Sequence, residues 1–307
     1  MFKSNQQTLR KSVTFEGIGL HTGKTSKIKV IPGEENLGIV FKRIDLKDNN
    51  TILANFKNVS SAKLCTTIRN EYGVKVSTVE HLLAALYFAD VDNAIIEINN
   101  EEVPIMDGSA KDFLESFNKI GIKEQNKKRK YLIFNEKIEL EDNGRTISIE
   151  PNASSFEVDF QLDYQNEIIG DQRNNVNFSK DSIDDICQSR TFCLFEDIEK
   201  IKQMGLAKGG SLDNALVVDK DKILNKGGLR NEKEFVNHKI LDLAGDFLLS
   251  GYRILGKVSC YQGGHELTNM FLKKIFKTSS YTCLELKDII ITKKNNANQL
   301  ERLAVSA

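Results

Sequence analysis

The segment EFVNHKILDLAGDFLLSG, residues 234–251, repeats a polar side chain every four residues, at His238, Asp242 and Asp246. Because an α-helix turns about once every 3.6 residues, these three side chains share one stripe of a helix. A histidine and an aspartate at this spacing can reach one metal ion, and both are ordinary zinc ligands. The segment therefore predicts a helix that carries part of a metal site.

A second histidine supports this interpretation. The stretch STVEHLLAAL, residues 77–86, places His81 directly after Glu80. The chain has only four histidines, and their positions in site-like segments favour a metal hydrolase. The four are His21, His81, His238 and His265.

Each of these motifs also has a purely structural interpretation. A solvated helix face readily produces His-x-x-x-Asp, so this pattern alone is a weak indication of metal binding. Ser77 and Glu80 fit a capping box, with Ser77 as the N-cap and Glu80 as the third helical residue. His81 would then be a surface residue of the first turn. Only the co-occurrence of several such elements favours a catalytic site.

Size and charge narrow the class of protein. The 307 residues suit one large domain or two ordinary ones, and 40% hydrophobic residues are enough for a core. The 43 basic and 43 acidic residues cancel, so net charge does not favour nucleic acid as a partner. Five cysteines without a C-x-x-C pair indicate neither a disulfide framework nor a cysteine zinc site. We find no signal peptide and no run of ~18 apolar residues, and expect a cytoplasmic protein without stable membrane insertion.

A polar, charged stretch divides the chain. Residues 123–130, KEQNKKRK, follow a predicted helix that ends at Gly121, and they predict a linker. The sequence therefore predicts a first domain at 1–124 and a second at 131–307.

The two halves resemble each other in outline. Both end with a helix, a strand, a loop and a helix, and the interval from His81 to Asp107 nearly equals that from His238 to His265. We predict an α+β fold of two similar domains, each with helices packed on a mostly antiparallel sheet. A site between the domains would take His81 from the first and His238 from the second.

Hydrophobic periodicity and turn residues predict the individual elements. One helix takes Ser109 as its N-cap. The Gly-rich stretch 205–215 lacks the residue order of a P-loop and favours a flexible loop, and a position beside a substrate cleft is an open alternative. The predicted strands are 8–15, 27–32, 39–41, 93–98, 131–140, 145–150, 156–164 and 254–261, and the predicted helices are 78–88, 109–120, 196–204, the segment around His238 and one from Gly264.

Seven blocks, in order along nearly the whole chain, resemble the UDP-3-O-acyl-N-acetylglucosamine deacetylases, the zinc amidases of lipid A biosynthesis in Gram-negative bacteria. Seven ordered blocks are far more specific than any one motif. They are QTLRKSVTFEGIGLHTGK, LCTTI at 64–68, STVEHLLAAL, DNAIIEINNEEVPIMDGSA at 92–110, SRTFCL at 189–194, HKILDLAGD at 238–246 and GGHELTN at 263–269.

The resemblance implies a duplicated fold, a bound zinc ion and a set of residue roles. It makes His81, His238 and Asp242 the zinc ligands, and Glu80 the general base. Zinc polarises a carbonyl group and lowers the pKa of water towards ~7, which suits hydrolysis of an unreactive amide. The other implied catalytic residues are His265 as the acid, Asp246 as its partner and Thr191 as an oxyanion donor.

The resemblance also implies contacts with an acylated UDP-sugar. We expect the enzyme to be a monomer. Lys239 would contact phosphate and Phe192 would pack on the sugar nucleotide. Tyr164 stands where an Asp-Phe pair is common, yet it keeps an aromatic face for uracil. Gln262 stands where many members carry a basic residue. Cys65 is expected at the substrate cleft through its neighbouring backbone, and His21 has no assigned chemistry.

Two other functions fit parts of the same sequence. A zinc amidohydrolase for a different amide would share the metal and base motifs and differ in the acyl-chain and nucleotide pockets. A metal-dependent binding protein would keep His81, His238 and Asp242 and would not need Glu80 or His265. The presence of all five residues favours the enzyme.

Overall fold

The computed structural model describes residues 3–290 and has the predicted α+β architecture with mostly antiparallel strands. The predicted domain ends at 1–2 and 291–307 lie outside the described residues. In chain order the helices are α1 (Glu80–Phe88), α2 (Lys111–Ile120), α3 (Asp184–Cys187), α4 (Phe195–Gln203), α5 (Glu234–Leu248) and α6 (His265–Ile275), with a 3-10 helix at Phe56–Asn58. The strands are β1 (Asn5–Leu9), β2 (Val13–Ile18), β3 (Thr25–Pro32), β4 (Ile39–Arg43), β5 (Thr51–Leu53), β6 (Val59–Ser61), β7 (Thr67–Arg69), β8 (Lys75–Val76), β9 (Ala94–Ile98), β10 (Ile122–Lys128), β11 (Lys130–Phe134), β12 (Ile138–Asp142), β13 (Arg145–Glu150), β14 (Phe156–Asp163), β15 (Asp171–Asn177), β16 (Phe192–Leu194), β17 (Leu216–Asp219), β18 (Lys222–Ile223), β19 (Arg253–Ile254), β20 (Gly256–Tyr261) and β21 (Tyr281–Glu285).

Two five-stranded sheets show that the fold repeats itself. The first has the order β2-β3-β9-β4-β5, and the second has the order β12-β13-β20-β14-β15. In both orders the third and fourth strands pair in parallel, and every other pairing is antiparallel. Equivalent strands therefore occupy equivalent positions, which confirms the prediction of two similar domains.

Alternation of apolar and polar residues gives each sheet one buried face. In β3, Ile28 and Val30 are buried while the lysines beside them are exposed. In β14, Val158 and Phe160 are buried in the same alternating way. Successive side chains of a strand point to opposite faces, so this pattern turns one face of each sheet towards the helices.

The helices occupy matching places in the two copies. α1 and α2 flank the central strand β9 in sequence, and α5 and α6 flank β20. α1, EHLLAALYF, is apolar on nearly every side because α2 and α5 both pack against it. Among residues 3–290, no helix is both long and apolar enough to cross a membrane.

α1 and α5 meet across the boundary between the copies, and Gly245 allows them to approach closely. A β-carbon added at Gly245 would lie 2.2 Å from the carbonyl oxygen of Glu80 and 3.1 Å from the backbone nitrogen of Ala84. Real side chains do not tolerate the shorter contact, so this approach requires glycine. The first turn of α1 therefore faces the middle of α5, where Asp242 and Asp246 lie on either side of Gly245.

Each copy carries an insertion after the fourth strand of its sheet in chain order, before the helix that bears the metal ligands. In the first copy, β6, β7 and β8 form a small sheet between β5 and α1. In the second copy, α3, α4 and the sheet β16-β17-β18 lie between β15 and α5. Thr66 lies in the first insertion and Thr191 in the second.

Most of the predicted linker at 123–130 forms part of strand β10. This strand pairs antiparallel with β1. Gln125 is buried and donates to the carbonyl oxygen of Gly33 at 2.9 Å. Arg129 is also buried, and its guanidinium pairs with Asp90 and Asp92 at 2.9 and 2.7 Å. The polar composition of this stretch thus serves hydrogen bonds within the fold, and the domain boundary placed here stays a prediction.

Two predicted helix caps are wrong. The N-cap of α1 is Val79, and the hydroxyl of Ser77 instead donates to the carbonyl oxygen of Glu101 at 3.1 Å. Thr78 has a φ of 56°, and this left-handed residue turns the chain between Ser77 and the helix. The N-cap of α2 is Ala110, while the hydroxyl of Ser109 donates to Asp107 at 2.7 Å.

We predict that Gly245→Ala destabilises the protein, because its methyl group would overlap the Glu80 carbonyl oxygen and force α1 and α5 apart. Overpacking of this kind typically costs about 1–3 kcal/mol. Urea unfolding measures the change in free energy. Gly210→Ala is the control, because a β-carbon there would meet its nearest neighbour at 3.4 Å. Equal unfolding free energies for the two variants would contradict the steric role of Gly245.

Candidate active site

The three predicted metal ligands meet where α1 faces α5. His81 comes from α1, and His238 and Asp242 come from α5. Their candidate ligand atoms all lie within 4.8 Å of one another, and all three residues are buried. Nε2 of His81 is 3.6 Å from Asp242 Oδ1, and Nε2 of His238 is 3.4 Å from Asp242 Oδ2. Such separations suit ligands that each lie about 2.0–2.2 Å from one shared ion.

His238 is oriented by the insertion of its own copy. Its Nδ1 lies 3.2 Å from the carbonyl oxygen of Ser189. Burial lowers the pKa of His238 to about 3, so the ring is neutral at pH 7. Nδ1 then carries the proton that Ser189 accepts, and Nε2 keeps its lone pair for a metal ion.

Asp242 supplies the negative charge of this group. Burial alone would raise its pKa, but His238, Lys239 and His265 together hold the pKa well below the usual value. Its Oδ2 accepts a hydrogen bond from Lys239 Nζ at 3.0 Å. Its Oδ1 is buried and has no hydrogen-bond partner within residues 3–290. An unpaired buried carboxylate oxygen is costly, and a cation beside His81 would compensate it. The residues present therefore fit a divalent metal ion.

Glu80 lies at the first helical position of α1 and is buried. Its Oε2 accepts a hydrogen bond from the backbone nitrogen of Thr66 at 3.0 Å. Its Oε1 lies 3.8 Å from Nε2 of His265. Burial raises the pKa of Glu80, which makes its carboxylate a stronger base than a solvated glutamate.

His265 begins α6 and pairs with Asp246 of α5. Its Nδ1 lies 2.8 Å from Asp246 Oδ2, while Asp246 Oδ1 accepts a hydrogen bond from the Thr66 hydroxyl at 2.7 Å. Burial opposes the charge on His265, but Asp246, Asp242 and Glu80 outweigh it and raise the pKa of His265 to about 10. The imidazolium therefore holds a proton on Nε2, directed towards Glu80 and Asp242.

A cavity of about 400 Å³ opens onto these groups. The predicted residues Thr191, Phe192, Tyr164 and Lys239 all line it. The rings of Tyr164 and Phe192 meet edge to face at 5.9 Å, and Lys239 Nζ lies 5.4 Å from the centre of the Phe192 ring. These four residues thus bring two hydroxyl groups, two aromatic rings and one ammonium group to the cavity that contains the metal ligands.

Cys65 is not part of the lining of this cavity. The thiol is buried and is 3.8 Å from the hydroxyl of Thr67. Burial and the nearby Glu80 raise its pKa to about 12. Its expected role as a substrate contact stays a prediction, and its neighbour Thr66 makes the hydrogen bonds to the site.

A second, largely apolar cavity of about 350 Å³ shares a wall with the first. Residues Leu20, Leu64, Phe192 and Ile201 line both cavities. The predicted loop 205–215 borders the second cavity through Gly210, Ser211, Leu212 and Ala215, and α4 borders it through Phe195, Ile198 and Ile201.

The structure also locates the two residues that the sequence left open. His21 lines both cavities, and its Nδ1 accepts a hydrogen bond from the backbone nitrogen of Ala207 at 3.4 Å. Gln262 does not line the cavity, because its amide donates to the carbonyl oxygen of Asp163. Arg145 and Lys63 line the same cavity as Lys239, so three basic side chains border it.

Sequence reasoning missed three residues of this site. Thr66 holds Glu80 and Asp246, the Ser189 carbonyl group orients His238, and Arg145 lines the cavity. Thr66 and Ser189 lie in the LCTTI and SRTFCL blocks, so the resemblance marked their segments. Arg145 lies outside every quoted block, and no motif signals it.

Fold and site together define a class of protein. Two buried histidines and an aspartate suit a metal ion, and beside them a raised-pKa glutamate and a protonated histidine lie 3.8 Å from each other. A catalytic metal site needs three protein ligands, an open position and nearby groups that move protons. This is the arrangement of a candidate metal-dependent hydrolase.

The family follows from comparison with known proteins. The family model LpxC, UDP-3-O-acyl N-acetylglycosamine deacetylase, matches residues 6–277. Relatives named UDP-3-O-acyl-N-acetylglucosamine deacetylase include one from Pasteurella multocida, 42% identical over 273 residues, or 88% of this chain and 89% of the relative. Another, from Citrifermentans bemidjiense, is 41% identical and covers 91% of this chain and 92% of its own length. A third, from Pseudoalteromonas translucida, is 40% identical over 90% of this chain and 91% of its own length. The chain therefore belongs to the UDP-3-O-acyl N-acetylglycosamine deacetylase family.

We predict that His81→Ala and Asp242→Ala each lower bound metal from about one ion per chain to a small fraction, because three protein ligands hold the ion. Elemental analysis of the purified variants measures the metal. His265→Ala is the matched control and should keep its metal, since His265 is not part of the ligand group. Full metal content in both ligand variants would disprove the assignment.

Proposed function

We propose that this protein hydrolyses the acetamide of UDP-3-O-acyl-N-acetylglucosamine with a bound zinc ion, releasing acetate and the free amine. The proposal includes a place in lipid A biosynthesis, in the cytoplasm of a Gram-negative bacterium, as the resemblance implies. Family membership and the names of the relatives support the reaction. The observation that carries the proposal is the acid–base pair Glu80 and His265 beside the ligand group His81, His238 and Asp242.

Zinc is the metal that we propose for the ligand group. Two histidines and one aspartate are a usual zinc set, and imidazole also accepts iron. When bound, the ion would polarise the amide carbonyl group and acidify the attacking water.

Glu80 would accept the proton of that water. Its Oε1 faces the site, and its Oε2 is held by the backbone nitrogen of Thr66. A carboxylate that is held by a hydrogen bond to one oxygen presents the other oxygen in one direction. This fixed orientation favours proton transfer from the water.

His265 would give its Nε2 proton to the nitrogen of the leaving sugar amine. As the C–N bond breaks, acetate forms on one side and the protonated nitrogen leaves as the amine. Asp246 keeps the imidazolium protonated and fixes its ring. The hydroxyl of Thr191, on the cavity wall, would donate to the oxyanion of the tetrahedral intermediate.

The two cavities suit the two ends of the proposed substrate. The apolar cavity would hold the 3-O-acyl chain, and burial is favourable by ~0.8 kcal/mol per CH₂ group. Lys239 and Arg145 would face the diphosphate, and the rings of Phe192 and Tyr164 would pack on the sugar and base. An amidohydrolase for a small unacylated amide would not need the apolar cavity.

Acetate release tests the function. We expect the zinc-loaded protein to release one acetate per molecule of UDP-3-O-acyl-N-acetylglucosamine. Without the acyl chain, kcat/KM should fall steeply, because each unburied CH₂ group forfeits ~0.8 kcal/mol. Similar kcat/KM values for the acylated and unacylated substrates would contradict the role of the apolar cavity.

Within the same assay, Glu80→Gln should lower kcat by roughly 10²–10⁴-fold, because the general base is lost while the side chain keeps its shape. Its metal content should match the wild type. Asp197→Asn also removes a negative charge from the cavity lining and should keep normal turnover. Normal turnover in Glu80→Gln would assign Glu80 a structural role only.

The dependence of kcat/KM on pH should be bell-shaped, with Glu80 ionised and His265 protonated in the active form. The nearby carboxylates raise the pKa of His265 to about 10, and the positive charge of a bound dication opposes this rise. Asp246→Asn removes one raising charge, so the pKa of His265 falls and the alkaline limb should move to lower pH. Initial rates from acid to alkaline pH measure both limbs, and an unmoved alkaline limb would show that Asp246 does not tune His265.

A further inference from the structure

Thr66 lies at the junction of the two copies, between the first turn of α1 and the middle of α5. It precedes β7 in the insertion of the first copy and is 2% exposed. Its side chain bonds across 180 residues of sequence to Asp246. The hydrogen bonds that its backbone nitrogen and hydroxyl donate go to Glu80 and Asp246, which are not metal ligands.

Three hydrogen bonds join Thr66 to the start of α1 and to the carboxylates of Glu80 and Asp246. Its carbonyl oxygen accepts from the backbone nitrogen of Val79 at 3.3 Å, at the N-cap of α1. Its backbone nitrogen donates to Glu80 Oε2 at 3.0 Å. Its hydroxyl donates to Asp246 Oδ1 at 2.7 Å. Every polar group of this one residue therefore contacts a helix start or a carboxylate of the site.

The hydroxyl bond fixes the plane of the Asp246 carboxylate. Asp246 Oδ1 accepts from Thr66, so Asp246 Oδ2 is left to face His265 Nδ1 at 2.8 Å. Charge-assisted hydrogen bonds of this length are strong and directional. Loss of the hydroxyl would leave a buried carboxylate oxygen unpaired and free to turn, and the His265 ring would lose its fixed direction.

We propose that Thr66 is a positioning residue that sets Glu80 and the Asp246–His265 pair at a fixed separation from each other. The inference rests on the proposed function, since it concerns the base and the acid of that reaction. Through its backbone Thr66 holds the base, and through its hydroxyl it holds the carboxylate behind the acid. The 3.8 Å between Glu80 Oε1 and His265 Nε2 is the separation that these bonds maintain.

Thr66→Val tests the hydroxyl alone, because valine keeps the shape and the backbone bonds to Glu80 and Val79. We expect kcat for acetate release to fall about 10–100-fold, the usual cost of losing a group that orients a catalytic residue. KM and the metal content per chain should stay at the wild-type values, because substrate contacts and ligands are untouched. A loss of metal or a rise in KM that accounts for the whole defect would overturn the inference.

Two further variants separate positioning from packing. Thr66→Ser restores the hydroxyl and should recover most of kcat. Thr8→Val is the matched control, since Thr8 in β1 is 3% exposed and its hydroxyl donates to the carbonyl oxygen of Asn93 at 2.7 Å. It should lose a comparable amount of thermal stability without loss of kcat. A serine variant as slow as the valine variant would overturn the inference.

A double-mutant cycle shows whether Thr66 acts through Asp246. In an Asp246→Ala background, Thr66→Val should change kcat by less than about twofold, because the bonded partner is already absent. If Thr66→Val lowers kcat as much in the Asp246→Ala background as in the wild type, the inference is overturned. If the wild-type enzyme releases no acetate, the proposed function fails and this inference with it. If the wild type is active and Thr66→Val is equally active, only the inference about Thr66 fails.

Discussion

The contact between α1 and α5 at Gly245 is the interaction on which the rest of the site depends. A glycine allows the backbone of α5 to lie against the Glu80 carbonyl oxygen, and no larger residue would fit there. Because the two helices belong to different copies of the fold, this one contact brings His81 of the first copy against His238 and Asp242 of the second. Duplication gives two equivalent helices, and Gly245 lets them pack closely enough for their side chains to form one site.

Close packing buries the charged groups of the site, and the surrounding hydrogen bonds reflect that constraint. Glu80, Asp246 and His265 are buried and satisfy one another directly or through Thr66. Asp242 differs, because its Oδ1 has no hydrogen-bond partner among residues 3–290. A low local dielectric makes such an unpaired oxygen expensive. A metal ion would complete this network as well as provide the chemistry.

The sequence predicted the parts of this structure that depend on periodicity. The four-residue spacing of His238, Asp242 and Asp246 and the similar endings of the two halves led to the shared site between two α+β copies. It failed where long-range contacts override local preference. Ser77 and Glu80 match a capping box, yet a tertiary bond to Thr66 takes the Glu80 carboxylate away from the helix start. Composition also did not reveal that most of the stretch 123–130 pairs with β1, which lies more than a hundred residues away, while the domain boundary placed there stays a prediction. No local pattern encodes either contact.

The proposed site requires one ion at the point where the ligands of the two copies meet. Anomalous X-ray diffraction from crystals of the zinc-loaded protein, collected on both sides of the zinc absorption edge, measures this directly. We expect one strong anomalous peak per chain, about 2.0–2.2 Å from a nitrogen of His81, a nitrogen of His238 and an oxygen of Asp242. A zinc-loaded crystal with no peak there, or with its only peak at another site, would show that these residues do not hold the ion.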